Sequence, residues 1–164
     1  MKALTAFKNF STSTQQGWFS TSLVLLRVVI GVQFLMAGIV KVNDWSAAGN
    51  LETATGPLAS WFQGMEGSIV VDQLNIWGLT FIGVALILGL LVRPASFFGA
   101  VLMILYYLAH FEQNIESGFI EYHIIYALIF ILFLAGGIGH VFGLDGIISR
   151  HFRRKKFIVK MLFG

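Results

Sequence analysis

The sequence contains no cysteine. That absence removes disulfides, thiolate-bound zinc, iron–sulfur centres and thiol–disulfide exchange from the chemistry open to the chain. Any redox work must then use a bound cofactor or a partner subunit. Charge is also scarce: 12% of the 164 residues are Asp, Glu, Lys or Arg, against about 25% in a soluble domain. So few charges cannot clothe a water-facing surface. There are two prolines, Pro57 and Pro94, and neither interrupts a long apolar run. Inverted repeats and proline-broken spans of the transporter kind are missing, which makes a carrier or channel the weakest reading. No segment points to nucleic acid.

What the sequence does have is apolar runs of membrane-spanning length. They predict an all-α, polytopic membrane protein in which 1–164 form a single domain, a four-transmembrane-helix bundle. The spans are expected at about 21–42, 73–92, 95–111 and 122–141. Residues 1–20 read as an interfacial lead-in rather than a cleaved signal, because the run that follows is too long and carries Arg27. Residues 145–164 read as a basic amphipathic tail for an anionic leaflet. Lys2, Lys8, Arg93 and the tail are basic, whereas the other two connections carry Asp44, Glu52, Glu66, Asp72, Glu112, Glu116 and Glu121. Basic loops stay in the cytoplasm, so both termini are expected inside and the acidic loops outside. The loop over 43–72 is amphipathic through Trp45, Trp61, Phe62 and Met65. It suits either an anchor in the headgroups or a lid over the bundle mouth.

The first span holds the most informative pattern. Arg27, Gly31, Phe34, Gly38 and Lys41 recur at helical spacing and share one stripe. A charge at bilayer depth faces protein or a water-filled cavity rather than lipid, so this stripe is the expected inner wall of the bundle.

Four stretches then acquire meaning together: LLRVVIGVQFLMAGIVKV, NIWGLTFIGVALILGLLVRPASFFGAVLMILYYLA, EYHIIYALI and AGGIGHVFGLDG. In this order and spacing the chain resembles the DoxX/DoxD family of small membrane proteins over about residues 22–148. The resemblance implies a four-helix bundle in a bacterial cytoplasmic (inner) membrane. One branch of the family is similar to the membrane subunit of thiosulfate:quinone oxidoreductase, and other members resemble accessory subunits of membrane redox assemblies. His140 stands where many relatives have arginine.

The polar residues of the spans fall into two layers. The inner one holds Arg27, Arg93, His140 and Asp145, read either as charges that neutralise each other and fix helix ends or as a site for an anion or a quinone carbonyl. The outer one holds Lys41, Asn75, Tyr106, His110, Glu121, His123 and Tyr126. Aromatic belts account for tyrosines at this depth but not for the two histidines. Quinone chemistry couples electrons to protons, and histidine relays protons near neutral pH. His110, His123 and Tyr106 are therefore the candidate catalytic residues, with Arg27, Asn75, Lys41, Tyr126 and Arg93 as candidate quinone-binding residues. Haem between the two histidines is the less favoured cofactor, and no metal-binding spacing such as HExxH occurs. The expected partners are the bilayer and other membrane or periplasmic subunits, or further copies of the chain. The alternative is a non-enzymatic scaffold of a larger complex.

Overall fold

The computed structural model describes residues 2–43 and 45–151, with side chains over 17–43 and 45–149. Asp44, the lead-in side chains of Lys2 and Lys8, and the basic residues expected over 150–164 lie outside the described side chains. The chain forms α1 (Lys2–Val40), α2 (Ala48–Glu52), α3 (Ala59–Gln63), α4 (Ile69–Leu88), α5 (Val92–Ala109), α6 (Phe111–Glu116), α7 (Tyr122–Gly136), a 3-10 turn (Ile138–His140) and α8 (Leu144–His151). The bundle is all-α, and α1, α4, α5 and α7 are its long members.

Three segments, Gly17–Val40, Ile69–Leu88 and Val92–Ala109, are long and apolar enough to cross a membrane, and Tyr122–Gly136 is a shorter apolar helix. At 15 residues α7 rises about 22 Å. The 3-10 turn that follows brings the segment close to the ~30 Å of a hydrocarbon core. The expected fourth span over 122–141 is thus divided at Gly137, which adopts the left-handed conformation (φ 57°) and ends α7. The third begins earlier than expected: α5 takes Arg93 and Pro94 into its first turn, where proline's missing N–H costs no helical bond.

The outward faces are apolar. Leu25, Val29 and Met36 on α1, Leu74 and Phe81 on α4, Phe98 on α5 and Leu128 on α7 are all exposed. Such a belt is stable against lipid and not against water. Inside, Arg27, Gly31, Phe34 and Gly38 of the predicted stripe are buried, Lys41 just past α1 is half-buried, and Ile30 beside them is buried as well. Gln33, the other polar residue of this span, is exposed. The core joins Ile30 and Phe34 to Leu79, Ile82 and Leu86 of α4, Ala100 and Met103 of α5, and Phe130 and Phe133 of α7. The Phe34 and Phe130 rings meet edge to face at 4.9 Å.

The helices pack as two close pairs, α1 with α4 and α5 with α7, and α4 touches α5 much less. Glycine explains the first pair. A Cβ at Gly83 would run into the backbone of Leu35, and one at Gly38 would lie 2.7 Å from the Thr80 amide nitrogen. Lipid gives helices no hydrophobic reason to associate, so this backbone approach supplies the dispersion contacts that hold them.

The loop over 43–72 folds onto the outer end of the bundle. Ala47, Leu51, Ala54 and Phe62 form a second core with Ala109. The Asp72 carboxylate accepts from the Ala47 amide (2.7 Å), and the Thr55 amide donates to the Ala109 carbonyl (2.9 Å).

Gly83→Ala should lower stability by about 1–3 kcal/mol through overpacking. Gly78→Ala, whose Cβ would meet nothing within 4 Å, should be neutral or stabilising by up to about 1 kcal/mol through helix propensity. Denaturant titration in one detergent compares the two; equal effects would contradict the packing assigned to Gly83.

Candidate functional site

The inner layer is closed by backbone. Arg27 is 1% exposed. Its Nη1 donates to the carbonyls of Ile138 (3.0 Å) and Val141 (3.3 Å), and its Nη2 donates to Phe142 (3.2 Å). These carbonyls belong to the turn after α7, where the Ile138 carbonyl also accepts from the Val141 amide (3.2 Å) and the nearby helix end favours a cation. Asp145, also 1% exposed, does the converse at α5. Its carboxylate accepts from the amides of Leu91 (2.7 Å) and Val92 (3.0 Å), and its own amide donates to the Gly89 carbonyl (2.9 Å). The corner needs this support, since Leu91 sits at φ 53°, which costs a side-chain-bearing residue roughly 1–2 kcal/mol. Burial pushes the Asp145 carboxyl above the ordinary carboxylate range, against the downward pull of the Val92 and Leu91 amides, His140 and Arg27. His140 lies beside Ser149, with Oγ 3.3 Å from Nδ1. Arg93 sits in the first turn of α5. Arg27 and Arg93 are thus far from the other candidate binding residues, and the Arg27 fork is occupied by the chain's own carbonyls.

The outer layer is different. Lys41 follows the last turn of α1, with Nζ 4.0 Å from the Trp45 ring centroid and 3.5 Å from the Tyr106 hydroxyl. That hydroxyl donates to Asn75 Oδ1, and Asn75 Nδ2 reaches the Val71 carbonyl at 3.4 Å. Lys41, Tyr106 and Asn75 therefore form one hydrogen-bonded line across α1, α5 and α4. Burial lowers the Lys41 ammonium below its ordinary value. From α7, His123 sets its ring edge-on to Tyr106 at 5.5 Å. Its Nδ1 lies 2.5 Å from Glu121 Oε2, and the same oxygen accepts from the His123 amide at 3.1 Å, capping the helix. A carboxylate on Nδ1 fixes the ring's orientation and directs Nε2 away from Glu121. Lys41 and His110 both lie near enough to act electrostatically on His123.

All these groups line the polar end of a cleft of about 1210 Å³ between α4 and α5. Trp45, Leu51, Trp61, Phe62 and Met65 of the folded loop also line it, so that loop covers the site rather than resting apart from it. His110 lines the cleft from the α5–α6 junction. Tyr126 lies behind, edge-on to Phe34 at 5.7 Å. The structure thus brings together Lys41, Asn75, Tyr106, His110 and His123, and it sets Arg27, Arg93 and Tyr126 elsewhere. Glu121, already counted in the outer layer, takes a definite place as the partner of a candidate base, and Trp45 is added as the cation's aromatic neighbour. Glu121 was open to inspection two residues before His123 at a helix start; the Trp45 contact depends on how the loop folds. Among the described residues no three His, Asp or Glu side chains gather as a metal site.

The family model described as DoxX matches residues 22–111. That range includes Lys41, Asn75, Tyr106 and His110 and ends before Glu121 and His123. No curated protein and no solved structure matches the chain.

Arg27→Met and Asp145→Ala should each cost about 3 kcal/mol or more, because each leaves buried backbone groups unsatisfied. The double variant should cost less than the sum, because the two act on one inner cap. Unfolding titrations of the three variants check this, and strict additivity would show two independent caps.

Proposed function

We propose, for a chain that belongs to the DoxX family, that it is the membrane subunit of a quinone-linked oxidoreductase or redox assembly and holds the quinone head in its outer polar layer. The observation that carries this reading is the meeting of two devices at one end of an apolar cleft: the Lys41–Tyr106–Asn75 line and the Glu121–His123 pair. A quinone head needs donors at its carbonyl oxygens, a proton acceptor near its hydroxyls when reduced, and apolar walls for its ring. Lys41, Tyr106 and Asn75 offer the first. His123 offers the second through Nε2, and Trp45 and Phe62 offer the third.

When bound, the quinone would supply the two-electron couple that this cysteine-free chain does not have. The residues' own part is proton handling. His123 would take up one of the quinol's two protons at Nε2, the other leaving to water at the outer face, and Glu121 would stabilise the imidazolium through Nδ1. In the reverse direction His123 returns that proton. Lys41 favours negative charge on the neighbouring oxygen, and the Tyr106 hydroxyl, held by Asn75, positions the ring. Electrons would pass between the quinone and a further membrane or periplasmic subunit, or a soluble donor at the outer face.

The reading places both termini in the cytoplasm and the covered site outside. Arg93 at the inner corner and the acidic residues of the outer loops support that orientation. It also places the protein in a cytoplasmic membrane. The alternative, a non-enzymatic assembly subunit, would have the same fold and the same inner cap without a ligand.

His123→Ala should lower quinone-linked turnover of the native membrane by about 100-fold, with Glu121→Gln intermediate and the fold unchanged by circular dichroism. Unchanged turnover in both would leave the assembly-subunit reading. Orientation has a separate check, helped by the absence of native cysteine. An impermeant maleimide added to intact cells should label Ile120→Cys, which is 72% exposed, and not Ile147→Cys, 65% exposed at the other end. The opposite pattern would invert the assignment.

A further inference from the structure

The cleft continues well past its polar end. Asn75, Gly78, Ile82 and Ala85 of α4 line it at helical spacing, so one face of that helix forms one wall. Ala95, Phe98, Leu102, Leu105 and Ala109 do the same on α5. Between Asn75 and Leu88 the helix rises about 20 Å, some two thirds of a ~30 Å hydrocarbon core. Leu74, Phe81, Leu88, Phe98 and Val101 form the rims and are exposed on the lipid-facing surface, so the trough opens sideways into the bilayer.

Gly78 separates this trough from the polar layer. It lies three residues after Asn75 on the same face, and a Cβ there would meet nothing within 4 Å. Helix packing therefore does not demand this glycine, unlike Gly83 on the same helix. Its effect is to leave room directly beneath Asn75.

We propose that the trough holds the isoprenoid tail of the same quinone whose head the outer layer binds. The molecule slides in sideways between α4 and α5, and Gly78 is the passage from head to tail. This rests on the quinone reading above. A tail gains little hydrophobic energy by leaving lipid for an apolar groove. The trough therefore acts by shape: it admits a slender chain and sets the depth of the head against His123 and Tyr106.

Gly78→Leu tests this, because the new side chain enters open space and does not disturb the packing of α1 on α4. The protein is placed in phosphatidylcholine nanodiscs with three probes. These are a tailless dimethoxybenzoquinone read by tryptophan quenching, a long-tailed isoprenoid quinone with a diazirine in its tail, and an isoprenoid alcohol with the same diazirine tail. The tailed quinone is expected to label α4 and α5 residues of the trough. Gly78→Leu should cut that labelling about tenfold, the scale of an overpacking clash, and leave the tailless quinone's binding unchanged. Binding of both quinones with no labelling of the trough, or labelling indifferent to Gly78→Leu, would overturn the tail assignment and leave the head site standing. Loss of both quinones in Gly78→Leu would make Gly78 part of the head site and overturn it too. Labelling by the alcohol with no binding of either quinone would overturn the quinone reading, and with it the assignment of the trough to a quinone tail.

Discussion

Backbone groups at helix ends buried inside protein have no water to turn to, and the inner half of this bundle is arranged around that constraint. The last carbonyls beyond α7 and the first amides of α5 lie at one end of the bundle, with opposite polarity. Arg27 answers the carbonyls and Asp145 answers the amides. Each charge is spent on backbone dipoles, and both ionic groups sit at 1% exposure. A tight corner at Gly89 to Leu91 becomes tolerable because its amides have a charged acceptor.

With the inner end closed by its own charges, the open polar groups lie at the other end. There the helices spread: α1 and α4 stay locked by glycine contacts, α5 and α7 pair separately, and the space between α4 and α5 becomes the cleft. The polar residues of four helices meet at its top because each helix contributes a different end. Lys41 comes from the exit of α1, Asn75 from the second turn of α4, Tyr106 from the last turn of α5 and His123 from the first turn of α7. A folded loop replaces the missing neighbour on the outer side.

Periodic features were legible in the sequence and long-range ones were not. The Arg27 to Gly38 stripe could be assigned to the interior because burial of a regular helix follows its repeat. The outer layer could be gathered because topology alone sends Asn75, Tyr106, His110 and His123 to one side. The role of Arg27 was half visible: its burial follows from bilayer physics, but its partners are carbonyls, which every residue has and no sequence marks. Arg93 joins the candidates through its place in the inner layer and its guanidinium fork, and Tyr126 through its spacing from His123, which sets a helix face but not the direction in which that face is turned. The cleft itself was hidden, because small residues at Gly78 and Ala85 read equally well as close helix contact or as space.

The inner cap also orders the making of the protein. Arg27 is synthesised 111 residues before the first carbonyl that accepts from it, and the Leu91 amide 54 residues before its carboxylate. Until the turn after α7 is made, the nascent chain holds Arg27 without its acceptors, and until Asp145 follows it holds a strained corner without its clamp. Its first three spans must wait, sheltered by the insertion machinery or by one another, for the last stretch of translation. A chain that stops short of Ile138 leaves that charge unanswered, even though its long helices are already made.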